Sequence, residues 1–282
     1  MLTLTNVHKA FGRIVAVDDL SLTIRKGEVF GLLGPNGAGK TTTVNMAVGL
    51  LRPDSGKVEV DGASSPDRPE VREKIGVAPQ ALALYDDLTG EENLSFFGKL
   101  HGLAGPRLRD RVSGALQLVG LSERRRDLVK TYSGGMKRRL NIAVAVIHEP
   151  PLLLLDEPTV GVDPQSRNAI FENTLTLREK GHTVIYTTHY MEEAQRLCDR
   201  VGIMDHGRLL ALDTVDALIS AHGGKSLLIV DRGDREDRLE TDDALQELMS
   251  LQRNGGLRGF RLERPDLERV FLHLTGRELR DA

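Results

Sequence analysis

The chain contains a single cysteine, carries almost no net charge and has no long apolar run. Cys198 has no second cysteine with which to form an internal disulfide, and we interpret it as a small helix residue rather than a redox centre. The formal net charge of −3 at pH 7 gives no reason to expect a nucleic-acid coat or a strongly basic membrane patch. A disulfide-stapled scaffold is therefore excluded, and a polyanion-binding protein is disfavoured.

Apolar residues are never continuous enough to cross a bilayer. The best candidate, residues 142–155, is interrupted by the sequence His-Glu-Pro-Pro, whereas a membrane-spanning helix needs ~20 apolar residues. The N-terminus lacks the basic segment and apolar run of a signal peptide. We therefore expect a cytoplasmic protein without a membrane span of its own. Its length of 282 residues suits one large and one small domain.

A glycine-rich stretch between an apolar run and a helix-like segment is the first strong motif. Residues 34–42 match the P-loop pattern G-x-x-x-x-G-K-[ST] in full. The glycines permit positive φ, so successive N–H groups can point inward, and the helix N-terminus adds about half a positive charge. We predict that a nucleoside triphosphate binds here, with Lys40 on the β- and γ-phosphates and the Thr41 hydroxyl on Mg²⁺. The predicted contacts are Gly34, Pro35, Asn36, Gly37, Ala38, Gly39, Lys40, Thr41 and Thr42.

A second motif is the acidic pair that follows the apolar run at 152–155. Such a run suits a strand buried on both faces of a parallel sheet, and an acidic residue at its end holds the Mg²⁺ that bridges the β- and γ-phosphates. Asp156 is predicted for that role. Glu157, at the mouth of the sheet, is predicted to accept a proton from the attacking water.

The remaining pattern predicts an α/β fold built on a P-loop NTPase core. Alternating segments at 2–7 and 17–24 indicate an antiparallel β subdomain. Amphipathic helices fill about 81–140, which we interpret as an α-helical subdomain inserted into the core. Strands alternate with helices around the P-loop, and this indicates a doubly wound, mostly parallel sheet. The ATP-binding domain is predicted to span 1–222.

Beyond that domain the composition changes, and residues 223–282 are predicted to form a small C-terminal α+β extension. A strand is expected at 225–230, a charged loop at 231–237 and helices at 241–251 and 265–274. In the last helix four apolar residues share one face, which we expect to be local core rather than a docking surface. These residues are Leu267, Val270, Phe271 and Leu274.

A Ser-Gly-Gly sequence before another helix is the most discriminating signal. Ser133, Gly134 and Gly135 precede the helix-like segment 136–147 and would expose N–H groups as a second anion site, although one nucleotide needs only the P-loop. The sequence Tyr-Ser-Gly-Gly-Met at 132–136 resembles the Leu-Ser-Gly-Gly-Gln signature of the ATP-binding subunits of ABC transporters. In that family two subunits enclose two ATP molecules, each held by the P-loop of one subunit and the signature of the other.

The resemblance covers about residues 2–220 and implies further roles. Phe11 is either a packing anchor of its turn or, as the resemblance implies, the aromatic residue that stacks on adenine. Gln80 resembles the Q-loop glutamine, which senses Mg²⁺ and contacts the transmembrane partner. Asp163 resembles the D-loop aspartate. His189 resembles the switch histidine that contacts the γ-phosphate.

In the same resemblance the P-loop corresponds to Walker A, and the acidic pair corresponds to Walker B with its catalytic base. Two departures matter: Val160 stands where many relatives have Ser, and Met136 replaces the signature Gln. Neither removes a group needed for hydrolysis. Both variants are similar to the branch that exports drugs, polyketides or lipids, and so is the sequence at 267–279.

The resemblance implies an ATPase with ATP and Mg²⁺ as ligands that powers export through a separate membrane permease. It further implies a homodimer held at the inner face of the cell membrane by that permease, with no nucleic acid. Completion of each site in trans would couple hydrolysis to dimer closure.

Three alternatives stay open. The first is an ABC importer subunit. The second is a soluble ABC-type ATPase acting on ribosomes or DNA, although such proteins usually fuse two nucleotide-binding domains or insert a long coiled coil. The third is a regulatory module that does not hydrolyse ATP, and the presence of both Glu157 and His189 argues against it.

Overall fold

The chain folds into two compact units, Met1–Leu212 and a second unit that begins at Asp213. The computed structural model describes residues 1–62, 65–233, 235–253 and 258–276. The last six residues of the predicted extension, 277–282, lie outside these ranges. Within the ranges, no helix combines the length and the apolar character that crossing a bilayer requires.

Strands and helices alternate through the first unit. Its strands are β1 (Leu2–Phe11), β2 (Ile14–Ile24), β3 (Val29–Leu33), β4 (Ser55–Val60), β5 (Ile75–Ala78), β6 (Leu152–Asp156), β7 (Thr183–Thr188), β8 (Arg200–Asp205) and β9 (Arg208–Thr214). Its α-helices are α1 (Lys40–Ala47), α2 (Pro69–Arg72), α3 (Gly90–Leu100), α4 (Gly105–Leu118), α5 (Gly134–Val146), α6 (Pro164–Glu179) and α7 (Met191–Leu197).

The central sheet has the strand order β5, β6, β7, β3, β8, β9. The pairs from β5 through β8 are parallel, which confirms the mostly parallel sheet predicted from the sequence. β3, β6 and β7 are buried along their whole length, as expected for a parallel sheet that is covered on both faces. β9 follows β8 after the two-residue turn His206-Gly207.

The register of the parallel strands fixes where the predicted motifs lie. Leu33, at the end of β3, pairs with Thr188 at the end of β7. Asp156, at the end of β6, pairs with Thr187. Because parallel strands end at the same edge of a sheet, the P-loop, the acidic pair and His189 leave the sheet side by side.

A separate sheet of β2, β1 and β4 confirms the predicted antiparallel β subdomain. Its inner residues, among them Leu4 and Leu22, share a hydrophobic core with Val44 of α1. The segment after the β1–β2 turn reaches the P-loop, where a Cβ added to Gly39 would lie 2.3 Å from the carbonyl oxygen of Ala16. This close approach requires glycine at position 39 and fixes the hairpin beside the nucleotide loop.

Helices α3, α4 and the start of α5 occupy the region predicted to be helical. A capping box starts α3, in which the Thr89 hydroxyl accepts the Glu92 N–H and the Glu92 carboxylate accepts the Thr89 N–H. Helix α5 lies close against β5, since a Cβ added to Gly76 would be 2.1 Å from the carbonyl oxygen of Ala145. The helical region is therefore held to the central sheet through α5.

The second unit is a small α+β structure, as predicted for the extension. A three-stranded antiparallel sheet has the order β11, β10, β12, and the first and last helices of the unit pack against each other. Its elements are α8 (Val215–His222), β10 (Ser226–Asp231), β11 (Glu236–Thr241), α9 (Ala244–Arg253), β12 (Gly259–Glu263) and α10 (Leu267–Thr275).

Three predictions for this unit need correction. The charged loop predicted at 231–237 ends before β11, and the helix predicted from Thr241 begins at Ala244, because β11 occupies the residues between them. Strand β12 was not predicted at all. Both missed strands are edge strands: β11 has one apolar residue, Leu239, and so shows little alternation, whereas β12 alternates Phe260 and Leu262 with charged residues over only five positions. Because α8 packs on α10, the unit starts ten residues before the predicted position 223.

The apolar face predicted for the last helix is confirmed as local core. Leu267 and Val270 are fully buried and Phe271 is 2 % exposed, while Leu274 is half-buried. This face therefore stabilises the second unit itself.

The contact between β5 and α5 leads to a prediction about stability. Gly76→Ala is expected to lower the free energy of unfolding by about 2 kcal/mol, because overpacking typically costs about 1–3 kcal/mol. Gly114→Ala in α4 is the matched control, since a Cβ there meets nothing within 4 Å and alanine favours the helix by up to ~1 kcal/mol. Urea denaturation measures both variants. A Gly76→Ala protein as stable as the wild type would contradict the close packing.

Candidate ATP hydrolysis site

The P-loop has the backbone that its glycines allow. Gly34, Gly37 and Gly39 have φ values of 153°, 81° and 100°, a region that side chains other than glycine's rarely tolerate. A Cβ on Gly34 would also lie 2.3 Å from the carbonyl oxygen of Met204 in β8. The loop therefore turns sharply between the end of β3 and the N-terminus of α1, leaving the N–H groups of its tip for an anion.

The other P-loop residues differ in exposure. Asn36, Gly37 and Thr41 are exposed, Pro35 and Thr42 are half-buried, and Ala38 is buried. The N–H of Ala38 donates to the carbonyl oxygen of Pro35 at 3.1 Å, which closes the tip of the loop. The Thr41 hydroxyl thus lies on the solvent side of the first turn of α1, where a ligand can reach it.

The ammonium group of Lys40 is buried and closes the P-loop from inside. Its Nζ donates to the carbonyl oxygens of Gly34 at 2.7 Å and Pro35 at 3.2 Å. It also lies 3.6 Å from Oε1 of Glu157. Burial lowers the pKa of Lys40, and the neighbouring Glu157 carboxylate opposes that shift. The two carbonyl oxygens that Lys40 contacts are neutral acceptors, so a charged phosphate oxygen can replace them.

Thr187 joins the two residues of the acidic pair. Its hydroxyl donates to Oδ1 of Asp156 at 2.5 Å and accepts the backbone N–H of Glu157 at 2.9 Å. Burial raises the pKa of Asp156, and the hydrogen bond from Thr187 opposes that shift. Glu157 has φ of 44°, a left-handed conformation that costs about 1–3 kcal/mol for a non-glycine residue. The neighbouring strand β7 therefore holds Glu157 in a strained conformation.

Three predicted residues converge on the carboxylate of Glu157. Besides Lys40, the side-chain amide of Gln80 donates to Oε2 at 3.1 Å. Nδ1 of His189 lies 3.3 Å from Oε1, where it donates when that nitrogen carries the proton. Each of these groups comes from a different segment, and the fold brings Lys40, Gln80, Glu157 and His189 together.

The Ser-Gly-Gly segment lies elsewhere. Ser133 is the N-cap of α5, where its hydroxyl accepts the N–H of Met136 at 3.2 Å, and both Ser133 and Gly134 are exposed. Gly135 is buried against α6, since a Cβ there would lie 2.0 Å from Oγ of Ser166. In the part of the chain that the structure describes, no hydrogen bond or ion pair joins this segment to the P-loop or to Glu157.

The exposed Asp163 lies beside that segment. Its carboxylate caps α6 by accepting the N–H of Ser166 at 2.9 Å, and its Oδ2 would be 3.4 Å from a Cβ on Gly135. The predicted signature and D-loop residues therefore form one polar surface, separate from the residues around Glu157.

Phe11 ends β1 and is 50 % exposed, with the ammonium group of Lys9 5.7 Å from its ring centroid. Ile14 and Val15, beyond the turn, are exposed as well. Because half of the Phe11 side chain is open to solvent, it is available for stacking rather than committed to packing.

Sequence reasoning missed two groups that support the site. One is Thr187. The other is Glu193, whose buried carboxylate accepts hydroxyl hydrogen bonds of 2.8–3.0 Å from Thr159, Tyr186 and Thr188. Thr159 follows Glu157 by two residues and Thr188 precedes His189, so Glu193 connects the two segments. The only available signal was a pair of threonines ending an otherwise apolar strand.

A family model described as ABC transporter matches residues 17–160. The chain belongs to the ABC transporter family. It is 43% identical over 311 aligned residues to the linearmycin resistance ATP-binding protein LnrL of Bacillus subtilis (strain 168), with 100% of both chains covered. It is 41% identical over 302 residues to a Nod factor export ATP-binding protein I of Cupriavidus metallidurans, covering 100% of this chain and 99% of the relative.

Solved structures agree with this assignment. A dimeric ATP-binding cassette, in a post-hydrolysis state with ADP and Pi, is similar with a TM-score of 0.69 and 28% identity, covering 76% of this chain and 98% of that one. This ABC transporter subunit binds ATP and hydrolyses it in a reaction coupled to transport. The predicted P-loop NTPase core is confirmed as well.

The raised pKa of Asp156 leads to a prediction about pH. A group whose pKa is higher in the folded state contributes stability at low pH that is lost as the pH rises through that value. Asp156→Asn cannot ionise, so in nucleotide-free protein it should gain stability relative to the wild type as the pH rises from about 4 to about 8. Thermal unfolding across this range measures the difference.

Asp163→Asn is the matched control for this experiment. Hydrogen bonds from the Ser166 N–H and hydroxyl hold the pKa of Asp163 below its usual value. A carboxyl group with a lowered pKa contributes its full stability above the usual aspartate value of about 3.9. The stability difference between this variant and the wild type should therefore change little above about pH 5. Parallel pH profiles for Asp156→Asn and the wild type would show that burial does not raise the pKa of Asp156.

Proposed function

We propose that the chain is the ATP-hydrolysing subunit of an exporter of drug-like, polyketide or lipid-like compounds. It acts as a homodimer on a separate membrane permease at the inner face of the membrane. The proposal of ATP hydrolysis rests on one observation: Lys40, Gln80 and His189 all contact the buried carboxylate of Glu157. The names of the relatives, linearmycin resistance and Nod factor export, support export rather than import.

The P-loop binds the triphosphate in this proposal. Backbone N–H groups from Gly34 to Thr42 surround the phosphates, and Lys40 exchanges the carbonyl oxygens of Gly34 and Pro35 for phosphate oxygens. Phe11 stacks on the adenine ring, for which its exposed face and its position on the hairpin beside Gly39 are suitable.

Glu157 acts as the general base. Its carboxylate accepts the proton of the water that attacks the γ-phosphorus, while the bond between that phosphorus and the bridging oxygen of ADP breaks. His189, within hydrogen-bond range of Glu157, orients the base and reaches the γ-phosphate. Most of the rate enhancement then comes from positioning and charge stabilisation.

The residues present fit a magnesium ion. Thr41, Gln80 and Asp156 would hold it through hydroxyl, amide and carboxylate oxygens, which Mg²⁺ prefers. One oxygen of Asp156 accepts from Thr187, and among the described residues the other takes part in no hydrogen bond, so it is available as a ligand. When bound, the ion would neutralise charge on the β- and γ-phosphates.

Each site is completed by a second copy of the chain. Ser133, Gly134 and Asp163 form an exposed polar surface with no bond to their own P-loop, and α5 directs its N-terminus there. In the proposed dimer, Ser133, Gly134 and Gly135 bind the γ-phosphate held by the partner's P-loop. The dimeric state of a similar ATP-binding cassette supports this arrangement.

Glu157→Gln tests the base and the dimer together. Turnover should fall at least ~100-fold, since general base catalysis contributes about 10²–10⁴, while ATP binding persists. With ATP and Mg²⁺ the variant should accumulate as a dimer, which light scattering after size exclusion detects. Glu172→Gln, an exposed position on α6, is the matched control and should hydrolyse ATP at the wild-type rate.

A second substitution separates dimer formation from ATP binding. Ser133→Arg in the Glu157→Gln background should keep the protein monomeric with ATP, although binding of a fluorescent ATP analogue is retained. Wild-type turnover in Glu157→Gln would reject Glu157 as the base. Dimers that persist with Ser133→Arg would reject completion of the site in trans.

The permease is tested in cells. Full-length chain should sediment with membranes and, after solubilisation in mild detergent, elute together with one polytopic membrane subunit, because the chain must transmit dimer closure to a transport path. Membranes washed with high salt should retain it, whereas a protein held only by surface charges would be released by screening. Sedimentation with ribosomes instead of membranes would contradict the transporter assignment and favour a soluble ATPase.

A further inference from the structure

Helix α5 holds the backbone before and at Gln80. The guanidinium group of Arg138, in the second turn of α5, donates to the carbonyl oxygen of Gln80. One turn later, the side-chain amide of Asn141 donates to the carbonyl oxygen of Pro79 at 3.0 Å. Two consecutive carbonyl groups are therefore fixed by one face of the helix that begins at Ser133.

Gln80 passes this constraint on to Glu157. Its side-chain amide donates to Oε2 of Glu157 at 3.1 Å, although Gln80 itself is exposed at the end of β5. An exposed glutamine loses rotamer freedom when it is held in one position. Fixing its backbone therefore favours the bonded arrangement. Two hydrogen bonds thus separate Arg138 from the proposed base.

Arg138 is suited to this task because its charge does not vary. Burial holds the pKa of Arg138 below its usual value and the nearby carboxylates of Glu157 and Asp156 oppose that shift, but an arginine stays protonated. Across the residues that are described, Arg138 forms no ion pair with either carboxylate. At the site, Arg138 therefore acts through its hydrogen bond to the Gln80 carbonyl oxygen.

We propose that Arg138 is a positioning residue: by holding the Gln80 carbonyl, it keeps the Gln80 side chain on Glu157 and links the start of α5 to the catalytic carboxylate. The inference rests on the proposed role of Glu157. It assigns to α5 a second task besides presenting Ser133 to the partner's ATP, namely the alignment of its own subunit's base.

Arg138→Met removes the donor and keeps the length of the side chain. We expect kcat for ATP hydrolysis to fall about tenfold with KM changed less than about twofold, because a hydrogen bond from a charged donor is lost while the P-loop is intact. Lys137→Met is the matched control, since Lys137 pairs with the exposed Asp86 at 2.7 Å, and it should leave kcat unchanged. Arg138→Lys should recover part of the rate. Thermal unfolding must show each variant folded.

A double-mutant cycle with Gln80→Ala distinguishes positioning from general stabilisation. Gln80→Ala keeps the backbone carbonyl but loses the amide that reaches Glu157. If Arg138 acts through that amide, Arg138→Met should cause no further loss of kcat in the Gln80→Ala background. Losses that multiply, or a full loss in Lys137→Met as well, would overturn the proposal. The Glu157→Gln experiment can succeed whichever result the cycle gives, so the two failures are distinguishable.

Discussion

The buried carboxylate of Glu157 is the interaction on which the rest of the site depends. A carboxylate removed from water needs cationic or hydrogen-bonding partners, because its desolvation costs several kcal/mol. Removal of one partner from a buried ion pair costs on the order of 3–5 kcal/mol. Here the partners are Lys40 from the P-loop, Gln80 from the end of β5 and His189 from the end of β7. They meet only because parallel strands end in register.

Lys40 is bonded to groups of its own chain that a triphosphate can replace. Lys40 donates to two carbonyl oxygens of its own loop and lies beside Glu157, so its buried ammonium group is paired. Phosphate oxygens carry more charge than carbonyl oxygens and form stronger bonds with an ammonium group. In the proposed complex Lys40 would move from the loop to the ligand, while Glu157 would keep its contacts with Gln80 and His189.

What the sequence could predict depended on whether the constraint was local. The P-loop was predictable because each of its glycines is required by the local backbone conformation. The strand at 152–155 was predictable because a strand buried on both faces is apolar throughout. β11 was not predicted because it is an edge strand of mostly charged residues with a single apolar residue, Leu239. The role of Thr187 escaped because it depends on a bond to Asp156 across 31 residues of chain, which only the register of the folded sheet reveals.

The exposed N-terminus of α5 supports the binding of a second copy of the chain. A helix N-terminus holds partial positive charge and is stabilised by an anion. The neighbouring Asp163 is already engaged in capping α6 through Ser166, which leaves Ser133 and Gly134 exposed to solvent. In the proposed two-fold dimer each subunit would present this surface to the other's bound triphosphate. Neither proposed site would then close without the other subunit, and this dependence would convert a local hydrolysis into movement between subunits.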